Sequence, residues 1–158
     1  MSAAPVSSAA PVSALTAHLG FWLRLVSNHV SHAFAARLSD QGVTVAEWCV
    51  MRTLYGREPM APSRLADEMG MTRGAITKLA DRLIAKDLLR RDANADDGRA
   101  QTLALTAQGA ERVPELAALA DGNDADFFAC LTAGERQTLE ALLRRIAERG
   151  RMSTVPVA

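Results

Sequence analysis

Large rings are scarce in this chain: four Phe, two Trp and one Tyr among 158 residues. A core so poor in aromatics must be filled by Leu, Ala, Val and Met, which favours helices packed through small side chains. Cysteine occurs only twice, as Cys49 and Cys130, each among apolar neighbours and without CxxC spacing. That excludes a disulfide framework and leaves buried free thiols as the expected state. No apolar run reaches the roughly eighteen residues a membrane helix requires, so no membrane partner is expected. The opening stretch, MSAAPVSSAAPVS, is uncharged and rich in Ala, Ser and Pro. It lacks the basic start and apolar run of an export signal, so we expect a disordered tail over residues 1–13 and a cytoplasmic chain.

Net charge is also absent, with 18 basic and 18 acidic side chains. A general coat for nucleic acid would carry a strong positive excess. Order matters more than the sum here. Residues 64–101 hold eight basic and seven acidic side chains, and Arg73, Lys78, Arg82, Arg90, Arg91 and Arg99 cluster within that span. A modest local basic face suits sequence-specific contact with duplex DNA better than indiscriminate binding.

The span 62–109, PSRLADEMGMTRGAITKLADRLIAKDLLRRDANADDGRAQTLALTAQG, reads as helix, tight turn, helix and two short strands. Leu65, Ala66 and Met69 give the first helix an apolar stripe, and Gly70 suits the left-handed residue that ends it. Thr72 is a natural N-cap for a helix over 72–86. In that second helix Ile76, Leu79, Ala80, Leu83 and Ile84 recur at the spacing of a face buried on one side. The opposite face carries Arg73, Thr77, Lys78, Asp81 and Arg82, which can reach phosphates and base edges. A strand over Leu88–Arg91, a loop over 92–99 and a strand over Gln101–Leu105 complete a hairpin, with Asp97-Gly98 as its turn. Arg99 stands at the hairpin tip, placed for a minor-groove contact, where Asp97 could hold it; the alternative is an ion pair with Asp96 or Asp97. A helix-turn-helix followed by such a wing puts one helix in the major groove.

The string LADEMGMTRGAITKLADRL, followed by DANADDGRAQTLALTAQG, resembles the MarR family of winged-helix transcriptional regulators, and the likeness extends from about Leu15 to Gly150. The resemblance implies a mainly α fold with a small β-hairpin wing, flanked by N- and C-terminal dimerisation helices. It also implies a homodimer bound to a pseudo-palindromic operator at the nucleoid, with DNA contacts from Thr72, Arg73, Thr77, Lys78, Arg82, Asp97 and Arg99. Two positions depart from the family pattern. Asp87 replaces a helix-ending Gly and must tolerate a left-handed conformation. Ala61 replaces a capping Ser or Thr, at a cost of up to about 1 kcal/mol.

Outside the motif, residues 15–39 read as one long helix ending near Asp40–Gly42. Leu15, Leu19, Trp22, Leu23, Val26, Val30, Ala33 and Phe34 cover a broad arc, widened further by Phe21 and Leu25. An arc that wide calls for two neighbours, one of them a partner subunit. Residues 45–56, with Thr44 as N-cap, make a second helix. Residues 107–130 and 133–149 make two more, the former interrupted at Gly122–Asn123 and the latter packing near the first helix. The expected division is a tail over 1–13, a domain over 14–150 and a tail over 151–158. Within the domain, 44–105 is the winged helix and 14–40 and 106–150 are the dimerising helices.

His18, Trp22, Leu25 and His29 form one stripe along the first helix, and Phe21, Leu25, Asn28 and His32 form its neighbour. One reading is interface and core packing. The other is a pocket in which the imidazoles, Asn28 or an arginine such as Arg24 or Arg52 hold an organic acid while Trp22 and Trp48 cover its ring. The family resemblance favours a phenolic or aromatic carboxylate effector, and a repressor that such a ligand releases. A cofactor is not expected, and neither is a metal, because the three histidines and two cysteines form no close ligand set. Peroxide sensing in the family uses a reactive Cys near the start of the first helix, where this chain has none. Cys49, mid-helix beside Trp48 and Val50, reads as inert packing. An enzyme is disfavoured, since no nucleophile elbow, phosphate loop or metal motif occurs. A redox-responsive regulator and a winged helix used only for protein contacts are the remaining alternatives; Arg73, Thr77 and Lys78 argue against the latter.

Overall fold

Capping residues set most of the helix boundaries in the computed structural model, which describes residues 11–94, 96–152 and 155–157. Helix α1 spans Leu19–Ser39, α2 Val45–Leu54, α3 Pro62–Met69 and α4 Arg73–Ala85. Strands β1 (Leu89–Ala93) and β2 (Gln101–Leu105) follow, then α5 (Ala107–Phe127) and α6 (Ala133–Arg149). Thr44, Thr72, Thr106 and Thr132 each accept a backbone N–H of the first turn of α2, α4, α5 and α6, satisfying a donor the helix cannot. Glu47 and Glu135 close the reciprocal half of a capping box at α2 and α6. Ala61 offers α3 no side-chain cap, as its sequence implied, and Pro62 at the first turn compensates by having no N–H to satisfy.

Most of the tail expected over residues 1–13 lies outside the described residues; Pro11, Val12 and Ser13 are exposed and irregular. The first helix does not run unbroken from residue 15. Leu15–Ala17 form a 3₁₀ turn, and His18 is extended at φ −98° and ψ 127°. Local bonds compete with the helix at this point. The Trp22 indole donates to Thr16 O at 2.9 Å, and the Phe21 and Trp22 rings meet edge to face at 5.3 Å. Helix α2 ends at Leu54, two residues short of the expected boundary, with Tyr55 extended.

The core lies within the winged helix. Leu65, Ala66 and Met69 of α3 pack with Ile76, Leu79 and Leu83 of α4, Val50, Met51 and Leu54 of α2, and Leu89 and Leu103 of the hairpin. Val113 and Leu116 of α5 and Leu38 of α1 close it from the other side. The hairpin is antiparallel, with Leu89 opposite Leu105 and Ala93 opposite Gln101. Met60 adds a single bridge to β2: it exchanges backbone hydrogen bonds with Leu103 at 2.9 and 2.8 Å, tying the entry to α3 onto the wing.

Gly122 and Asn123 do not interrupt α5, which is continuous through them and ends at Phe127 instead of residue 130. They are contact residues for α1. Asn123 is buried and its amide donates to Val30 O at 3.3 Å, while Gly122 leaves room for the Arg37 guanidinium. Arg37 in turn pairs with Asp126 at 2.6 Å. Arg136 braces the end of α5 by donating to Asp124 O and Phe128 O, carbonyls that also accept from Phe128 N and Leu131 N. Helix α6 buries none of its residues, though Leu139 and Leu143 line a cleft together with Val30 of α1. Cys130 also departs from expectation, being exposed, whereas Cys49 is half-buried.

Candidate nucleic-acid interface

The turn that aims α4 is built from backbone hydrogen bonds. Gly70 takes φ 64° and ψ 32°, the left-handed region it was expected to supply, and Met71 N donates to Ala66 O at 2.9 Å. Thr72 then caps α4 by accepting from Ala75 N at 3.2 Å. Arg73, Thr77, Lys78 and Arg82 are all exposed on this helix. The Thr77 hydroxyl donates to Arg73 O at 2.9 Å and keeps its lone pairs to accept. Gly74 lies among them with nothing within 4 Å of where a Cβ would stand. Asp81 shares the exposed side but is taken by Arg91 of β1 at 2.8 Å. That pair joins helix to hairpin and neutralises an acid beside the basic face. A cleft of about 350 Å³, lined by Thr77, Asp81, Arg91 and Gln101 among others, lies where the two elements meet.

At the wing tip, Ala100 N donates to Asp97 O at 2.9 Å and Asn94 N to Ala100 O at 2.7 Å. Asp97 does not hold the Arg99 guanidinium as anticipated. Its carboxylate accepts the Arg99 backbone N–H at 3.0 Å, so it shapes the turn. Among the described residues no carboxylate lies within ion-pair distance of Arg99, so the ion pair with Asp96 or Asp97 is not formed here. An exposed cation on a tight, internally bonded turn is suited to enter a groove of duplex DNA.

The far end of α4 is anchored by an ion pair, buried at its carboxylate and partly exposed at its ammonium, that sequence reading missed. Glu47 is 1% exposed and accepts from Lys86 Nζ at 2.8 and 2.9 Å, while the same ammonium donates to Gly42 O at 2.8 Å. Burial alone would raise the Glu47 pKa. The Lys86 bond and charge and the Thr44 contacts outweigh it and hold the carboxyl below its usual range. Asp87 follows in the left-handed region at φ 58°, as the missing Gly required. The Thr44-x-x-Glu47 spacing announces the capping box, but no local signal pairs Glu47 with a lysine 39 residues away.

The residues expected to form an effector pocket fall into two groups. Trp48 and Arg52 line one cavity of about 400 Å³, together with Cys49, Tyr55, Glu68 and Val155. His18, Trp22, Leu25, Asn28 and His29 do not line it and are exposed. His18 also drops out of the helical stripe, because it precedes α1; its Nδ1 lies 3.2 Å from Ala14 O. In the cavity wall Glu68 is already engaged by Arg57 and, at 3.1 Å, by Arg64. The Arg57 hydrogen bond, against partial desolvation and with lesser help from Arg64, lowers the Glu68 pKa. Arg52 has no carboxylate partner among the described residues. Burial pushes the Cys49 thiol up, away from the reactive thiolate. Among the described residues no His, Cys, Asp and Glu cluster could hold a metal, and no helix is long and apolar enough to cross a membrane.

Residues 41–100 match the sequence model of the MarR family. The chain is 29% identical over 133 residues to the transcriptional regulatory protein proposed for the hcr operon of Thauera aromatica, covering 84% of this chain and 80% of that one. It is 30% identical over 111 residues to the transcriptional repressor MdtR of Bacillus subtilis, covering 70% and 72%. Its structure is similar to that of a mutant Escherichia coli MarR complexed with operator DNA. The TM-score is 0.71 at 27% identity, over 81% of this chain and 92% of that one.

Proposed function

Because the chain belongs to the MarR family of DNA-binding transcriptional regulators, we propose that it acts as a homodimeric repressor, released from a pseudo-palindromic operator by a small aromatic carboxylate or phenol. It is a regulator and not an enzyme. The observation that carries the dimer is an apolar surface the single chain leaves uncovered. Leu19 is 87% exposed and Trp22 49%, with Leu23 and Val26 beside them on α1, and Leu142, Leu143 and Ile146 of α6 are exposed as well. So much exposed apolar surface on two helices costs free energy in water and calls for a partner. On this reading the exposed stripe of α1 serves the seam, as packing, and the winged helix over 44–105 is the reading head.

Each head would set the first turns of α4 in the major groove, with Thr72, Arg73, Thr77, Lys78 and Arg82 toward phosphates and bases. Arg99 would enter the flanking minor groove on the turn that Asp97 shapes. A two-fold axis then places half-sites about one helical turn apart, roughly 10 base pairs centre to centre. Effector control is supported by the cavity beside α2, where Arg52, without a carboxylate partner among the described residues, can meet a carboxylate and Trp48 its ring. A ligand there changes operator affinity only by favouring one arrangement of the two heads. The site of action is the chromosome, in the cytoplasm. Sedimentation at micromolar concentration should give a dimer without DNA, and Leu142→Glu with Ile146→Glu should give a folded monomer with weakened operator binding. A folded, soluble monomer of the unaltered chain would refute the proposal.

A further inference from the structure

Beyond α6 the described residues Val155–Val157 lie against the head. Arg151 takes φ 51°, and Met152 N donates to Ala147 O at 2.9 Å, reversing the direction of the helix at its end. Two contacts then place the last described residues on α2, and a third places them on the core. Val155 lines the cavity beside Trp48 and Arg52. The Pro156 carbonyl lies 3.8 Å from Cys49 Sγ. Val157 packs against the buried core. Since α6 buries nothing of its own, this contact joins the end of α6 to the reading head by packing as well as by chain connectivity.

We propose that Val155–Val157 is a strap that forms one wall of the effector cavity, and that an aromatic monocarboxylate bound between Trp48 and Arg52 holds this strap on α2. The ligand half of this rests on the cavity being the effector site. The cavity offers a cation, a ring and an apolar wall: Arg52 has no carboxylate partner among the described residues, Trp48 is 8% exposed, and Val155 supplies the covering methyls. About 400 Å³ accommodates a single-ring acid. Coupling of this kind is reciprocal: if the ligand stabilises the docked strap, loss of the strap weakens the ligand by the same factor. Through α6, the strap would carry that effect to the dimer seam.

The two cysteines make the test direct, since Cys49 lies under the strap and Cys130 is exposed. In a Cys130→Ser background the only thiol is Cys49, and its reaction with a disulfide reagent reads strap docking without reference to any effector. Val155→Asp with Val157→Asp should speed that reaction about ten-fold, because thiol reactivity follows exposure. The milder Val155→Ala with Val157→Ala should speed it less, with circular dichroism unchanged in both. Benzoate should slow the reaction in the parent and bind the Asp variant about ten-fold more weakly. An unchanged Cys49 rate in both variants overturns the strap. Equal benzoate affinity with and without the strap overturns its role as a wall. Benzoate bound by neither protein, with the labelling effect present, refutes the effector reading of the cavity and leaves the docked strap standing.

Discussion

Replacing Gly109 with Ala should loosen the joint between the wing and α5. Gly109 is buried in the first turn of α5, and a Cβ there would stand 2.0 Å from Leu88 O and 2.9 Å from Leu88 C. Both are backbone atoms, so no flexible side chain can give way; the helix and the strand must separate by more than about 1 Å to restore van der Waals contact. That separation strains a compact set of hydrogen bonds. Thr106 N donates to Leu88 O at 3.2 Å, Thr106 Oγ1 to Asp87 O at 2.6 Å, and Gly109 N to Thr106 Oγ1 at 2.9 Å. Overpacking of a rigid contact costs about 3 kcal/mol or somewhat more, offset by up to about 1 kcal/mol because Ala favours a helix over Gly. The net loss is about 2 kcal/mol, which for a chain of this size lowers Tm by about 4–8 °C. Calorimetry of Gly109→Ala against Gly134→Ala is the assay, since position 134 has nothing within 4 Å of the added carbon. A Gly109→Ala protein that melts at or above the parent temperature would refute the close-approach argument.

Glu47→Gln should destabilise the protein by about 1–3 kcal/mol at neutral pH, the lower range for a buried pair because Lys86 can rehydrate. The folded-state pKa of Glu47 lies below its ordinary value of 4.5, so the stabilisation is complete above that value and is lost as pH falls through the folded pKa. Melting curves of parent and variant should therefore converge only as pH falls from the ordinary carboxyl range through the lowered folded pKa; a difference that does not shrink with falling pH contradicts the assignment. Arg99→Ala should leave the melting temperature unchanged while weakening operator binding and flattening its log–log salt dependence by about one unit. Unchanged affinity would mean the wing makes no DNA contact. Gly74→Ala should raise the melting temperature slightly, by the helix-propensity gain of up to about 1 kcal/mol, yet weaken binding if the α4 backbone approaches phosphate. Anisotropy titrations with both proteins decide between these outcomes.

Elements that rest on neighbouring residues are legible in the amino-acid sequence. Gly70, Thr72, Thr44 and Asp87 each do locally what their side chains or backbone freedom suggest, and the helix-turn-helix follows from them. Features that depend on distant partners are not legible in this way. The Glu47–Lys86 pair spans 39 positions, Met60 pairs with Leu103 as a single rung without a strand pattern of its own, and the need for Gly109 lies in a carbonyl of another segment. Gly122 and Asn123 mislead because their types suggest a break, whereas the α1 surface opposite them requires a small residue and an amide. The expected pocket divides for a similar reason. Helical spacing puts His18 in line with Trp22, but the local bonds of residues 14–18 and Trp22 to the turn end the helix first.

In vitro selection from a pool of random duplexes tests the central account most directly, because it asks at once whether the protein reads sequence and whether two heads read it. The account predicts enrichment of a pseudo-palindrome with half-site centres about 10 base pairs apart. It also predicts that replacing Arg73, Thr77 or Lys78 with Ala relaxes the preference at one base pair per half-site, costing roughly 1–3 kcal/mol there. A pool that yields no enriched site, or an enriched site without two-fold symmetry, would contradict it.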